Sequence, residues 1–331
     1  MRFRYLGRTG LKVAPIVLGT FNFGWLVEPK DAFAIMDRAL EEGVTVFDTA
    51  DSYGKWTGGR GHSGWSEEII GQWFTLGGGR RESVVLATKV YEATDEPTEW
   101  VNAERGVSAY KIKRHIEGSL RRLGTDHVEL YQLHHHEDHA PWEELLGALE
   151  DLVTAGKVVY LGSSNFGARH LCWARTAAER RGGLGFVSEQ HRYSLACRLP
   201  ELEVLPTCQE LGIGLIAWSP LASGLLGGHA LNRAGGERSA EAGGALDQAG
   251  RERLTAYHQL CADLGETPAN VALAWTLANP AVTGPIIGPR TADQVSQSVR
   301  AAEIELDAAT LMRLDEIFPG PGGAGPGAYA W

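Results

Sequence analysis

The chain has 331 residues, of which 44% are hydrophobic and 22% charged, enough for a sizeable core and ordinary for a soluble globular protein. Its 41 Asp and Glu outnumber 31 Lys and Arg for a net charge of −10. That balance argues against nucleic acid and anionic membranes as partners, without excluding a local phosphate site. Cys172, Cys197, Cys208 and Cys261 form no CxxC. Met1–Gly10 lacks an apolar signal core, and no apolar run approaches the roughly 18 residues of a membrane helix. These features predict a reducing, cytoplasmic setting.

In chain order, Phe3–Val13 reads as a short hairpin around Gly7–Gly10, placed as a plug under a barrel floor. A β-branched run follows at Val13–Gly19, then a helical segment at Ala32–Glu42 with Phe33, Ile35, Met36 and Leu40 on one face. The run Thr45–Thr49 leads into a Gly-rich excursion, Lys55–Trp65, and a helix starting near Ser66. Val84–Val90, the helix Ile112–Leu123, Val128–Leu133 and the helix Trp142–Val153 continue the alternation. Further runs lie at Val158–Gly162, Phe186–Glu189, Gly214–Trp218 and Val282–Gly288. Ser223–Gly250 is a Gly- and Ala-rich loop, and such length is usually functional or disordered. A Gly/Pro-rich tail, expected to be mobile, starts at Pro319 and ends in Tyr329 and Trp331.

Strands that are continuously apolar suit a sheet covered on both faces. Eight of them with crossover helices predict an α/β fold, a (β/α)8 TIM barrel with long loops on its C-terminal face. It would span residues 1–318 as one domain, leaving 319–331 as a tail. The rival is an open doubly wound sheet. The dinucleotide fingerprint that such a sheet needs is absent, because Leu18 is followed by Gly-Thr-Phe-Asn-Phe-Gly.

A barrel of this kind carries its chemistry at the C-terminal strand ends. Here they read Asp48, then Lys89, then His134-His135-His136, then Ser163-Ser164-Asn165. Next come Glu189-Gln190-His191, Trp218-Ser219-Pro220 and Gly288-Pro289-Arg290. Each has a bland explanation alone: an Asp before a turn is usually a cap, a Lys after a strand is usually solvated, and a Tyr is usually core or surface. Seven polar strand ends of eight is more than folding needs, since charge near a buried strand end is costly unless paired. Asp48 and Lys89 would neutralise each other at one rim. Tyr53 sits in the loop just above, where a neighbouring ammonium should lower its pKa and make it a usable acid. His134 would donate to a carbonyl oxygen, so the group fits carbonyl polarisation and protonation.

At these residues the chain resembles the aldo-keto reductase family. The matching stretches begin with Leu6-Gly7-Arg8-Thr9-Gly10, Asp48-Thr49-Ala50-Asp51-Ser52-Tyr53-Gly54, Ser66–Gly71 and Thr88-Lys89. They continue with Leu130-Tyr131-Gln132-Leu133-His134, Gly162–Phe166, Gln190 with Tyr193-Ser194-Leu195, and Trp218–Leu221. The resemblance implies an enzyme, an NADP-dependent oxidoreductase that reduces aldehydes or ketones to alcohols, reversibly. It implies Tyr53 as proton donor, Lys89 lowering its pKa, Asp48 holding Lys89, and His134 orienting the substrate carbonyl. Ser164, Asn165 and Gln190 would bind the nicotinamide carboxamide and Trp218 would stack on the ring, although Trp218 alone reads equally as core. Gly19, Thr20 and Gly288 would also face NADP(H). Ser219, Leu221 and Ser223 would contact the pyrophosphate, with Ser223–Gly250 folding over it. Arg290, read as opening the last helix, would take the 2′-phosphate and Gln294 the adenine. Two positions depart from the pattern: Ser298 stands where relatives often carry Asn or Glu, and His229 where many carry Lys.

The expected partner is a small-molecule carbonyl substrate, with Phe21, Trp25, Trp56, Trp65, Tyr91 and His135 as an aromatic pocket. The oligomeric state is not written in the sequence. Two other functions stay open. One is a metal-dependent hydrolase on the same barrel, using His134-His135-His136-Glu137-Asp138-His139. The other, implied by the resemblance, is a non-catalytic, cofactor-sensing partner subunit.

Overall fold

In the computed structural model, residues 1–55, 61–94, 104–228, 230 and 246–325 are described. Two short strands, β1 (Arg4–Tyr5) and β2 (Lys12–Val13), pair antiparallel as the expected hairpin. Its residues Leu6 and Val13 join Val17, Val46, Ala87, Leu130, Val187 and Ile216 in an apolar cluster that fills the barrel floor. The fit is close. A Cβ on Gly7, which holds φ +55°, would lie 2.3 Å from the Val187 carbonyl oxygen. Only glycine combines that approach with that backbone.

The barrel consists of β3 (Val17–Gly19), β4 (Val46–Asp48), β5 (Val85–Val90), β6 (Val128–Leu133), β7 (Val158–Ser164), β8 (Phe186–Arg192), β9 (Gly214–Trp218) and β10 (Val282–Ile287). They pair in parallel in chain order, and β10 closes on β3. The (β/α)8 TIM barrel with an N-terminal hairpin is therefore the fold. Helices α1 (Pro29–Glu41), α2 (Trp65–Phe74), α3 (Ala109–Leu123), α4 (Trp142–Thr154), α5 (Ala168–Arg180) and α6 (Val204–Leu211) follow successive strands. α7 (Gln248–Asp263) and α8 (Pro268–Ala278) precede β10, and α9 (Ala292–Val299) and α10 (Ala308–Ile317) follow it. Their apolar faces and the outward residues of the strands form the larger core. Boundaries follow local chemistry: Ser108 accepts the Lys111 N–H to start α3, and Gly124 in the left-handed conformation ends it.

β7 and β8 run further than expected, because pairing with β8 carries β7 to Ser164 and pairing with β9 carries β8 to Arg192. The expected loop Ser223–Gly250 starts in a 3-10 turn, Ala222–Gly227, and ends inside α7. Its residues 229 and 231–245 lie outside the described residues. In the tail, Gly325 N–H donates to Leu202 at 2.8 Å. Tyr329 and Trp331 lie outside the described residues. Among the described residues no helix is long and apolar enough to cross a membrane.

Candidate active site

Strand side chains alternate between faces. Val46 and Ala87 are in the floor cluster, so the inward residues two positions on are Asp48 and Lys89. Likewise Leu130 in the floor predicts Gln132 and then His134 above it. A crevice of about 1410 Å³ opens over this rim. Asp48, Tyr53 and His134 line it, and fully buried Lys89 lies beneath.

Lys89 organises the floor. Its Nζ donates to Asp48 Oδ2 at 2.6 Å, to the Thr49 carbonyl at 2.8 Å and to the Tyr53 hydroxyl at 3.1 Å. Burial would lower the Lys89 pKa, but Asp48 and then Tyr53 outweigh it, and the ammonium stays charged. Tyr53 corrects the sequence expectation. Lys89 does pull its pKa down, but burial of the phenol, the largest influence, and the Asp48 and Asp51 charges carry it above the ordinary value. The phenol therefore rests protonated, which a proton donor requires. His134 is held well below its usual pKa by burial first and the Lys89 charge second. The imidazole is neutral. Its Nδ1 is buried without a hydrogen bond, an arrangement that favours the tautomer with the proton on Nε2, toward the crevice.

The second half of the crevice is a chain of hydrogen bonds. Asn165, at φ +62°, donates to the His134 carbonyl at 3.1 Å and accepts from Trp218 Nε1 at 3.0 Å. Ser164 Oγ donates to the Gln190 carbonyl at 2.9 Å. The Arg192 guanidinium lies 5.7 Å over the Trp218 ring. Among the described residues, the non-glycine positions with positive φ are Asn165, Ser219, Ala222 and Ser223. Three of them, Asn165, Ser219 and Ser223, line this crevice, and stored strain of this kind concentrates at functional sites. Glu189 faces outward instead. It accepts from Ser163 Oγ at 2.5 Å and from the Phe166 N–H at 2.9 Å, and so braces the turn that holds Asn165.

The sequence-derived cofactor positions Gly19, Ser164, Asn165, Gln190, Trp218, Ser219, Leu221, Ser223, Gly288, Arg290, Gln294 and Ser298 all line the crevice. Thr20 does not. It is buried behind the wall, where its hydroxyl meets the Asp48 carbonyl and Ser66. Arg290 precedes α9 rather than the last helix, since α10 follows. Thr291 caps α9 by accepting the Gln294 N–H, and the Gln294 side chain accepts the Arg290 N–H at 2.7 Å just before it.

On the substrate side, Phe21 and His135 line the crevice. Trp25 packs edge-on against Phe21, and Tyr91 lies against His135; neither lines the crevice. Trp65 stacks on His62, and Trp56 and His229 lie outside the described residues. The His-rich run is split. His136 stacks on His170 at 3.7 Å with 7° between the rings, and Asp138 is close by. Parallel rings do not aim two lone pairs at one ion, and Arg169 Nε donates to His170 Nε2. This group is separate from the crevice that His134 enters. Sequence reasoning did not single out Gln132, which is buried and donates from Nε2 to Asp48 Oδ1 at 3.0 Å; its signal was a polar residue in inward register two positions before His134. It also missed the N-terminus of α8, whose Thr267–Asn270 segment lines the crevice.

Residues 15–318 match the aldo/keto reductase family. The chain belongs to that family and is an oxidoreductase. An uncharacterized oxidoreductase of Bacillus subtilis (strain 168), YrpG, is 54% identical over 331 residues, covering all of both chains. The versiconal hemiacetal acetate reductase of Aspergillus parasiticus is 29% identical over 96% of this chain and 97% of its own. A protein of Oryza sativa subsp. japonica named "Probable voltage-gated potassium channel subunit beta" is 31% identical over 92% of each chain.

Proposed function

We propose that this protein reduces aldehydes or ketones to alcohols, reversibly, with NADPH, and that Tyr53 is the proton donor. One observation carries the reading: a single buried ammonium, Lys89 Nζ, joins Asp48 and the Tyr53 hydroxyl at the floor of a crevice that extends to Arg290. The wall chemistry fits a nicotinamide dinucleotide. Ser164, Asn165 and Gln190 offer polar atoms for a carboxamide, and Trp218, fixed by Asn165, offers a flat face. Left-handed backbone at Ser219, Ala222 and Ser223 is the kind that turns successive N–H groups toward one anion. The N-terminus of α8 adds a favourable dipole end. Arg290 supplies a guanidinium for a further phosphate and favours NADP over NAD.

When bound, the reduced nicotinamide supplies the hydride. Tyr53 gives its proton to the carbonyl oxygen, and Lys89 stabilises the phenolate left behind. Asp48 keeps Lys89 charged and in place. Neutral His134 donates from Nε2 to the same oxygen and polarises the carbonyl. Phe21, edge-on to Tyr53 at 5.1 Å, gives the mouth an apolar wall, which suits a broad range of small carbonyl compounds. The four cysteines are all free, which fits a reducing cytoplasm. A second reading, a non-catalytic partner subunit, is favoured by the name of the rice relative, which calls that protein a channel subunit.

The test is NADPH oxidation at pH 7 against a panel of aldehydes and ketones, comparing wild type with Tyr53→Phe. Turnover should fall by at least about 10²-fold while NADPH affinity is kept. Equal turnover by both proteins would remove Tyr53 from the mechanism. NADPH binding by both with turnover by neither would favour the non-catalytic subunit.

A further inference from the structure

Two buried amides meet the Asp48 carboxylate on the side away from Lys89. Gln132 Nε2 donates to Asp48 Oδ1 at 3.0 Å, and Gln190 Nε2 donates to the same oxygen at 2.7 Å. A carboxylate only accepts, so turning either amide end for end would set oxygen against oxygen. Chemistry therefore fixes both orientations. Gln132 Oε1 then lies 3.3 Å from Gln190 Nε2 and takes its second N–H. The Gln190 nitrogen is used up, and its Oε1 is left at the crevice wall as an acceptor.

The strands are built to allow this. Register puts Lys89 beside Gln132, Gln132 beside Gly162, and Ser164 beside Gln190. A Cβ on Gly162 would lie 3.0 Å from Gln132 Cγ, so the missing side chain at 162 leaves room for the Gln132 stem. Gln132 is itself wholly buried and does not line the crevice. It can act there only through Asp48 and Gln190.

We propose that Gln132 is a positioning residue that ties cofactor recognition to the proton donor. It holds the Gln190 amide so that the crevice offers an acceptor to a carboxamide N–H, and it locks the Asp48 carboxylate that holds Lys89. This rests on the NADPH reading above. The same arrangement sets a specificity. A nicotinamide ring presents N–H to Gln190 Oε1, whereas a nicotinic acid ring presents a carboxylate that Oε1 repels.

The experiment measures Kd for NADPH and for its nicotinic acid counterpart by quenching of protein fluorescence, with kcat and KM for one carbonyl substrate. Wild type should prefer the amide form. Gln132→Met, close in length but without donor or acceptor, should weaken NADPH about tenfold. It should narrow the amide-over-acid preference and lower kcat, with little change in KM for the carbonyl substrate. Gln132→Glu must be protonated to donate to Asp48, so its NADPH affinity and kcat should recover toward wild type as pH falls, which a merely space-filling role would not produce. Wild-type affinity and preference in Gln132→Met would overturn the proposal, even if kcat fell. Should Gln132→Met not fold, a pH-independent Gln132→Glu would overturn it instead. Wild type that binds no NADPH would sink the parent reading before any variant is compared.

Discussion

Replacing Lys89 by Met removes the ammonium but keeps the stem, and it separates charge pairing from packing. The pair it breaks is fully enclosed, with side-chain exposure of 0% for Lys89 and 4% for Asp48. Removing one partner of a buried pair costs about 3–5 kcal/mol, because the other charge is left uncompensated. Here Asp48 keeps two amide donors on Oδ1, so the lower end, about 3 kcal/mol, is expected. That is a large share of the about 5–15 kcal/mol of a typical domain. Adding Asp48→Asn removes the orphaned charge. The new Oδ1 still accepts from Gln132 and Gln190. The double variant should therefore regain about 2 kcal/mol over Lys89→Met alone, read from urea midpoints at equal m. Both variants should lose at least about 10²-fold in NADPH oxidation, since no ammonium stabilises the Tyr53 phenolate. Lys89→Met as stable as wild type, or a double variant no more stable than the single, would refute the claim that an enclosed charge pair sits under Tyr53.

Two further outcomes follow from the same geometry. The folded-state pKa of His134 is depressed, so unfolding takes up a proton once pH drops below the ordinary value of about 6.5. Its contribution to stability is complete above that pH and is lost as pH falls, by up to roughly 1.4 kcal/mol per unit. Urea melts at pH 7.5 and 5.5 should show this slope in wild type and a shallower one in His134→Asn; equal slopes would contradict the neutral imidazole. Arg290→Ala should raise the Kd for NADPH on the order of tenfold while leaving NADH nearly unchanged. Equal loss for both cofactors would move the 2′-phosphate contact elsewhere.

The barrel was legible in the chain because its determinants are local. Short β-branched runs, crossover helices and the two-residue alternation of strands carry Asp48, Lys89, Gln132 and His134 to one rim, whatever each side chain then does. Residue type and spacing also sufficed to bring the polar strand ends along one crevice. What they could not decide was direction and environment. Thr20 turns back to Ser66, Tyr91 stands behind His135, and His136 leaves the run to stack on His170, each because of a neighbour brought in by packing. Asp48 Oδ1 draws donors from 84 and 142 residues away, a convergence that exists only once the barrel closes. The sign of the Tyr53 shift was beyond the sequence for the same reason. Lys89 could be read as a nearby charge, but the larger influence is burial, and burial is a property of everything packed around the phenol.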